Sequence, residues 1–146
     1  MKRSDALAPL SRDHHQGLFV ALQLKRASAE SAAAARQAVL DFFEHDGRLH
    51  FRLEEELLLP AFARHGAADH EAVVTLLTDH VELRRLADDL AAGPAGEVDL
   101  LHVLGERLER HIRHEERVLF PMVEEALPDI ELEQLGVAIR AAEAGA

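Results

Sequence analysis

Residues 50–60 read His-Phe-Arg-Leu-Glu-Glu-Glu-Leu-Leu-Leu-Pro, and residues 111–121 read His-Ile-Arg-His-Glu-Glu-Arg-Val-Leu-Phe-Pro. The two stretches lie 61 residues apart and are identical at six of eleven positions. In each, a His is followed four residues later by a Glu, a spacing that brings both side chains to one face of an α-helix. Two such pairs on two helices predict a site where several ligand atoms point to one place.

A shorter repeat precedes each of these stretches. Leu10-Ser-Arg-Asp-His14 resembles Leu76-Leu-Thr-Asp-His80, at a separation of 66 residues. Each half of the chain therefore supplies a lone helical histidine followed by a His-x-x-x-Glu pair. This pattern predicts a metal site built by two duplicated helical hairpins.

Composition favours an all-α protein. The 146 residues are 48% hydrophobic and 29% charged, which predicts a single globular domain over residues 1–146. Helix-forming Ala, Leu, Glu and Arg are abundant, whereas the aromatic residues typical of strands are limited to six Phe.

Hydrophobic periodicity predicts four long helices, over residues 9–28, 32–65, 68–92 and 98–126, and a short fifth helix over 130–142. We expect Ser4 or Ser11 to cap the first helix, Gly66 and the turn at residues 93–96 to end the second and third, and kinks near Gly47 and Pro60. Short connections predict an up-down-up-down four-helix bundle of two repeated hairpins. The fifth helix either caps this bundle or serves a dimer.

Helical steps of about 100° per residue decide which side chains face the core. The second helix places Phe43, Leu57 and Ala61 inward, and the fourth places Leu108, Val118 and Met122 inward, while Glu55 and Glu116 fall on the opposite, solvated faces. The polar residues on the inner faces are His14, His50, Glu54, His80, His111 and Glu115. His15 lies at the edge of the first inner stripe, so the choice between His14 and His15 stays open.

Two buried carboxylates need compensating positive charge, because an unpaired buried carboxylate costs several kcal/mol or stays protonated. A pair of divalent metal ions beside the histidines supplies this charge. The chain has no cysteine, so His and carboxylate are the available ligands, and they suit iron, manganese or zinc. We assign the remaining histidines ordinary structural roles.

Charge and hydropathy exclude several partners. A net charge of −11 argues against nucleic acid and against an anionic membrane surface. No apolar run approaches the roughly 20 residues that span a bilayer. Lys2 and Arg3 are not followed by an apolar signal core, so we expect a cytoplasmic protein. The oligomeric state stays open.

Three other helical or histidine-based sites fit less well. Di-iron bundles of the ferritin type use Glu-x-x-His, and no histidine here has a Glu three residues before it. Zinc proteases use His-Glu-x-x-His, but Val74 and Val118 stand where the second His belongs. A histidine phosphotransfer bundle exposes one reactive His, whereas the candidates here are several and face inward.

The chain resembles the hemerythrin-like family, the HHE cation-binding domain, over essentially its whole length. The resemblance rests on Asp13-His14, Asp79-His80 and the two His-x-x-x-Glu-Glu elements with their trailing Leu-x-Pro. It implies a non-haem di-iron centre, oxo- or hydroxo-bridged, in which zinc or manganese are possible substitutes. His14, His50, His80 and His111 would be terminal ligands, and Glu54 and Glu115 would bridge the metals.

One departure bears on function. Oxygen-carrying hemerythrins have a further histidine four residues after the third-helix ligand, and Arg84 stands there in this chain. Arg84 lies on the inner side of the third helix, about 40° from His80, where Glu54, Glu115 or Asp88 are its possible partners. The remaining set of four His and two Glu is similar to that of iron-centre repair proteins.

The resemblance implies a protein that binds or responds to O₂, NO or peroxide, or that handles iron. The alternative is a structural or regulatory bundle stabilised by zinc or a single metal, without small-molecule chemistry. A hydrolytic enzyme using metal-bound water is a third class, but no nucleophile–base pair in the sequence supports it.

Overall fold

The computed structural model describes residues 2–94 and 97–146. Five helices account for most of these residues: α1 (Ala8–Lys25), α2 (residues 32–62), α3 (Glu71–Ala92), α4 (residues 98–126) and α5 (Asp129–Ala144). The described residues contain no β-strand, which confirms the all-α prediction. Of the turn predicted at residues 93–96, Ala95 and Gly96 lie outside the described residues. None of the helices in the described ranges is both long and apolar enough to cross a membrane.

The first four helices form the predicted up-down-up-down bundle. Helix α1 packs against α2 and α4, and α3 packs against the same two helices from the other side. Helix α5 folds back onto α2, and its Leu135 and Ile139 join the core that contains Leu7, Leu53 and Leu58. The fifth helix therefore covers the bundle of its own chain.

Helices α2 and α4 are interrupted by π-helical turns. In α2, α-helical Ala32–Phe42, Arg48–Leu53 and Leu59–Phe62 alternate with π-helical Phe43–Gly47 and Glu54–Leu58. In α4, π-helical Glu115–Leu119 separates Val98–His114 from Phe120–Ala126. A π turn thus includes Gly47 and another lies just before Pro60, the two places where the sequence predicts kinks.

The two repeated stretches share one of these turns in identical register. Each π turn starts at the Glu of the His-x-x-x-Glu pair, and the backbone N–H of Leu59 or Phe120 donates to the carbonyl of Glu54 or Glu115. A proline follows at once in both cases, at positions 60 and 121. Because a proline ring clashes with the carbonyl four residues earlier in an α-helix, the widened turn is the natural accommodation.

The extra residue in each π turn changes which side chains face the core. The regular helical step predicts Leu57 and Val118 inward. The prediction is wrong for Val118, which is 46% exposed, and holds in part for Leu57, which is partly buried and packs against the core. The fully buried residues at these two places are Leu58 and Leu119. A π turn holds about one residue more than an α turn, so every side chain after it moves round the helix by one position.

Helix ends differ modestly from the sequence prediction. Neither Ser4 nor Ser11 caps α1 with its side chain; the residue before the helix is Leu7, and the Ser4 carbonyl accepts the N–H groups of Leu7 and Ala8. Helix α3 starts after His70, whose ring Nδ1 accepts the Ala72 N–H. This bond gives one of the remaining histidines a structural role.

The apolar core is divided into two clusters with the predicted site between them. One cluster contains Leu10, Leu58, Leu76 and Phe120, and the other contains Leu24, Leu83, Leu104 and Ile112. Helices α1 and α4 approach closely at Gly105, where an added Cβ would lie 2.8 Å from Leu24 Cβ. Polar groups between these layers lie in a low-dielectric environment, so their charges must balance locally.

Candidate metal centre

The six predicted residues converge in the middle of the bundle. Their relative exposures are 5% for His14 and His50, 1% for His80, 2% for His111 and 0% for both carboxylates. Each of the four helices contributes a histidine, and α2 and α4 also contribute Glu54 and Glu115. His15 is exposed on the outside of α1, so His14 is the α1 histidine that faces the centre.

These side chains form two groups of possible metal ligands. The first comprises His14, His50, Glu54 and Glu115, and the second comprises His80, His111, Glu54 and Glu115. Within each group the candidate ligand atoms lie within 4.8 Å of one another. Both carboxylates belong to both groups, whereas each histidine belongs to one.

The two oxygens of each carboxylate point to different groups. Glu54 Oε2 lies 3.2 Å from His50 Nε2, and Glu54 Oε1 lies 3.1 Å from His80 Nε2. Glu115 Oε1 lies 2.7 Å from His14 Nε2, and Glu115 Oε2 lies 3.4 Å from His111 Nε2. Each carboxylate therefore spans the space between one pair of histidines and the other.

Several of these inward atoms have no hydrogen-bond partner. They are His50 Nε2, His111 Nε2, Glu54 Oε2 and Glu115 Oε2, all fully buried. A buried polar group without a partner costs about 1–3 kcal/mol, and a charged group costs more. Divalent metal ions accept lone pairs from imidazole nitrogen and carboxylate oxygen, so a metal in each group would satisfy these atoms. The donor set thus fits a cation site.

A carboxylate outside the centre engages the other ring nitrogen of every histidine. His50 Nδ1 donates to Asp13 at 3.0 Å, and His111 Nδ1 donates to Asp79 at 3.0 Å. His14 Nδ1 donates to Glu116 and His80 Nδ1 donates to Glu55, both at 2.6 Å. Such outer carboxylates hold an imidazole in the orientation and tautomer that a metal requires.

Sequence reasoning missed the roles of Glu55 and Glu116. The helical step places both on the solvated faces, yet they are partly buried and hydrogen-bonded to His80 and His14. The signal was available in the repeat, because the second Glu is identical in residues 50–60 and 111–121. Asp13 and Asp79 were noted as parts of the repeat, but the periodicity did not show that they contact the histidine of the neighbouring helix.

Arg84 has a different partner from those expected. Its side chain is 47% exposed and its guanidinium donates to Glu55 Oε2 at 3.1 Å, not to Glu54, Glu115 or Asp88. The side chain therefore reaches around the outside of His80. Its angular position near the inner face did not reveal this, because a long Arg side chain carries its charged end toward solvent.

The charges of the centre are mutually dependent in the absence of a metal. Burial and the negative charge of Glu115 hold the pKa of Glu54 well above its usual range. Glu115 keeps a low pKa, because the histidines outweigh its burial. Burial lowers the pKa of His80 to about 3, whereas carboxylate contacts outweigh burial and raise the pKa of His14 and His50. Protons thus balance the buried carboxylates where a metal would otherwise do so.

A small cavity adjoins the centre. Its walls include Phe42, Gly47, Leu108 and Ile112, together with His14, His50, His111 and Glu115. The cavity offers a water-sized molecule a volume of about 10 Å³. That volume corresponds to roughly one water molecule.

A comparison with known protein families agrees with this geometry. The family model described as hemerythrin HHE cation-binding domain matches residues 8–123, which include all six convergent residues. The chain belongs to this family. Comparisons with curated proteins and with solved structures gave no match. Membership of the hemerythrin HHE family suggests cation binding, and the buried His/Glu cluster fits a metal site.

Proposed function

We propose that the protein is a non-haem di-iron protein of the hemerythrin type that binds or responds to a small oxidising or diatomic ligand such as O₂, NO or peroxide. His14 and His50 would hold one metal, and His80 and His111 would hold the other. Glu54 and Glu115 would each supply an oxygen to both. The cytoplasmic location expected from the sequence is part of this proposal.

The observation that carries the proposal is the division of each carboxylate between the two histidine pairs. A mononuclear site needs only one oxygen from each carboxylate, and the second oxygen would remain without a partner. Glu54 and Glu115 instead direct one oxygen to each pair, and Glu54 Oε2 and Glu115 Oε2 have no hydrogen-bond partner. Two cations, one beside each pair of histidines, would give all four carboxylate oxygens a partner. Nitrogen and oxygen donors without thiolate suit iron, with zinc or manganese as substitutes.

The surroundings of the centre favour a very small ligand. The adjoining cavity has room for about one water-sized molecule, and its apolar lining includes Phe42, Leu108 and Ile112. A cavity of this size and lining fits a diatomic molecule better than an organic substrate. When bound, the iron pair supplies redox chemistry and open coordination positions. Asp13, Asp79, Glu55 and Glu116 keep the imidazole Nε2 atoms directed inward.

The first experiment is elemental analysis and near-ultraviolet spectroscopy of protein produced with supplemented iron. We expect about two irons per chain and a bridged di-iron absorption that changes with azide or NO. His50→Ala should lose metal and thermal stability together, because it removes a ligand and leaves Asp13 unpaired. His45→Ala is the matched control, since His45 lies on the exposed side of the same helix and hydrogen-bonds to the Asp41 carbonyl.

The alternative is a bundle in which zinc or a single metal has only a structural role. One zinc per chain, with no spectral response to azide or NO, would establish that role instead. Unchanged metal content in His50→Ala would contradict the ligand assignment itself.

A further inference from the structure

The outer side of His14 carries a compact contact that involves the start of the chain. The Phe120 ring stacks on His14 with centroids 5.3 Å apart and planes 9° from parallel. The guanidinium of Arg3 lies over the Phe120 ring, 5.3 Å from its centroid. Arg3 also contacts Glu116, the residue that accepts the His14 Nδ1 proton, through the Glu116 carbonyl at 2.7 Å and Oε1 at 3.4 Å.

The outer side of His80 repeats the contact with other residues. Phe51 stacks on His80, with centroids 3.8 Å apart and planes 14° from parallel. The guanidinium of Arg84 lies 5.4 Å from the Phe51 centroid and donates to Glu55 Oε2. That same oxygen accepts the His80 Nδ1 proton. Each of these two histidines therefore stacks on a Phe ring that an Arg also contacts, and donates its Nδ1 proton to a Glu that the same Arg contacts.

Duplication of the hairpin does not explain this likeness. Phe51 is the second residue of its repeated stretch and Phe120 is the tenth of its own, and their counterparts are Ile112 and Leu59. Arg3 precedes α1, whereas Arg84 lies within α3. The two halves reach the same arrangement from unrelated positions, which points to a requirement of the centre itself.

We propose that Arg3 and Arg84 are positioning residues that set how strongly Glu116 and Glu55 draw on the Nδ1 protons of His14 and His80, and thereby tune the reduction potential of the metal beside each histidine. This inference rests on the proposed metal-binding function. The two arginines lie outside the group of six central residues and act on the metals through Glu116 and Glu55.

The physical basis is competition for a carboxylate. Arg84 and His80 share Glu55 Oε2, so the guanidinium withdraws charge from the oxygen that accepts the imidazole proton. A weaker acceptor leaves the imidazole less basic, and a less basic ligand stabilises the reduced metal. The positive charge of the guanidinium acts in the same direction. Removing either arginine should therefore lower the reduction potential.

The two arginines differ in exposure, which makes their effects unequal. The Arg3 side chain is 20% exposed and is held additionally by Glu124 at 2.6 Å, whereas the Arg84 side chain is 47% exposed. Water and salt screen the more exposed charge more strongly. Removing Arg3 should therefore change the reduction potential more than removing Arg84. The change should concern the metal held by His14 and His50.

The first test compares midpoint potentials of the iron-loaded protein. For Arg3→Gln we expect the reduction equilibrium to shift about tenfold toward the oxidised form, which equals 59 mV for one electron. For Arg84→Gln we expect a shift of about threefold in the same direction. Matched controls are Lys2→Gln and Arg85→Gln. Lys2 is exposed beside Arg3, and Arg85 follows Arg84 but pairs with Glu82 and Asp89. Arg3→Lys should lower the potential less than Arg3→Gln, since lysine keeps the charge but not the planar stack.

The second test is NMR of the histidine Nδ1 protons in zinc-loaded protein, which needs no redox-active metal. Arg84→Gln should move the His80 resonance downfield and leave His14 unchanged, and Arg3→Gln should do the converse. Equal potentials and equal His80 shifts in Arg84→Gln and Arg85→Gln would overturn the inference. Failure of the unaltered protein to bind metal would instead overturn the proposed function, so the two failures are distinguishable.

Discussion

The two hairpins of the bundle are alike at the centre and unlike around it. Each provides a lone histidine, a His-x-x-x-Glu pair, a π turn that starts at the Glu, and two outer carboxylates. The outer carboxylates cross between helices: Asp13 of α1 holds His50 of α2, and Asp79 of α3 holds His111 of α4. These shared parts are the ones that fall within the sequence repeats.

The differences lie where the repeat ends. The first hairpin has a second π turn, Phe43–Gly47, and the corresponding part of α4 is regular α-helix. The small cavity adjoins that turn through Phe42 and Gly47. The guanidinium beside the centre is half exposed in one half and largely buried in the other. The two groups of possible ligands are therefore equivalent in composition and unequal in their surroundings.

The largest effect expected from this comparison is the loss of both metals on removal of either carboxylate. Glu54→Ala and Glu115→Ala should each abolish metal binding, because each residue supplies an oxygen to both groups. His14→Ala should leave about half of the metal, since that histidine belongs to one group only. Elemental analysis of the purified variants measures this directly.

The contrast between carboxylate and histidine variants has its own control. Glu56→Ala alters the third Glu of the same run, which is exposed and pairs only with Arg52, and it should leave the metal content unchanged. Retention of one metal in Glu115→Ala would show that the carboxylates do not bridge.

The next effect concerns the outer aspartates and the equivalence of the two halves. Asp13→Asn and Asp79→Asn should each weaken metal binding by roughly 10- to 100-fold, since such partners fix the imidazole tautomer. Competition with a metal chelator measures the change. Asp88→Asn on the exposed side of α3 is the control. A large effect from one aspartate and none from the other would break the equivalence of the hairpins.

How far the sequence predicted this architecture depends on the helix geometry. The inward positions of His14, His50, Glu54, His80, His111 and Glu115 follow from a regular step, because each His-x-x-x-Glu pair and each lone histidine lies in a local α-helical segment that runs up to the Glu. The exposure of Val118 and the burial of Leu58 and Leu119 do not follow from it, because a π turn intervenes and a regular period does not include one. Glu55 and Arg84 were misjudged because long side chains reach beyond the face on which their Cα atoms lie.

Protonation provides a third comparison between the halves. Carboxylate contacts outweigh burial and raise the pKa of His14 and His50, whereas burial lowers the pKa of His80 to about 3, so without metal His14 and His50 keep a proton to higher pH than His80. Metal ligands must be deprotonated, so loading should release protons, and apparent affinity should fall roughly tenfold per pH unit of acidification for each proton released. An indicator dye in weakly buffered solution measures the release. Loading without proton release would contradict the assigned charges.

The smallest expected effect concerns the cavity. Ile112→Val removes a methyl group from the cavity wall and so enlarges the cavity. The change should lower the free energy of unfolding by about 1 kcal/mol and accelerate azide binding to the iron-loaded protein. Ile139→Val in α5 removes the same methyl group from a fully buried position in the other core cluster. It should have a similar stability cost and leave the azide rate unchanged. Equal azide rates in the two variants would show that ligands enter elsewhere.

A crystal structure of the iron-loaded protein, with anomalous diffraction at the iron edge, tests most directly whether two metal ions share Glu54 and Glu115 between two pairs of histidines. We expect two anomalous peaks, one beside His14 and His50 and one beside His80 and His111, with a carboxylate oxygen of each Glu at both. A single peak, or two peaks without shared carboxylates, would contradict this arrangement.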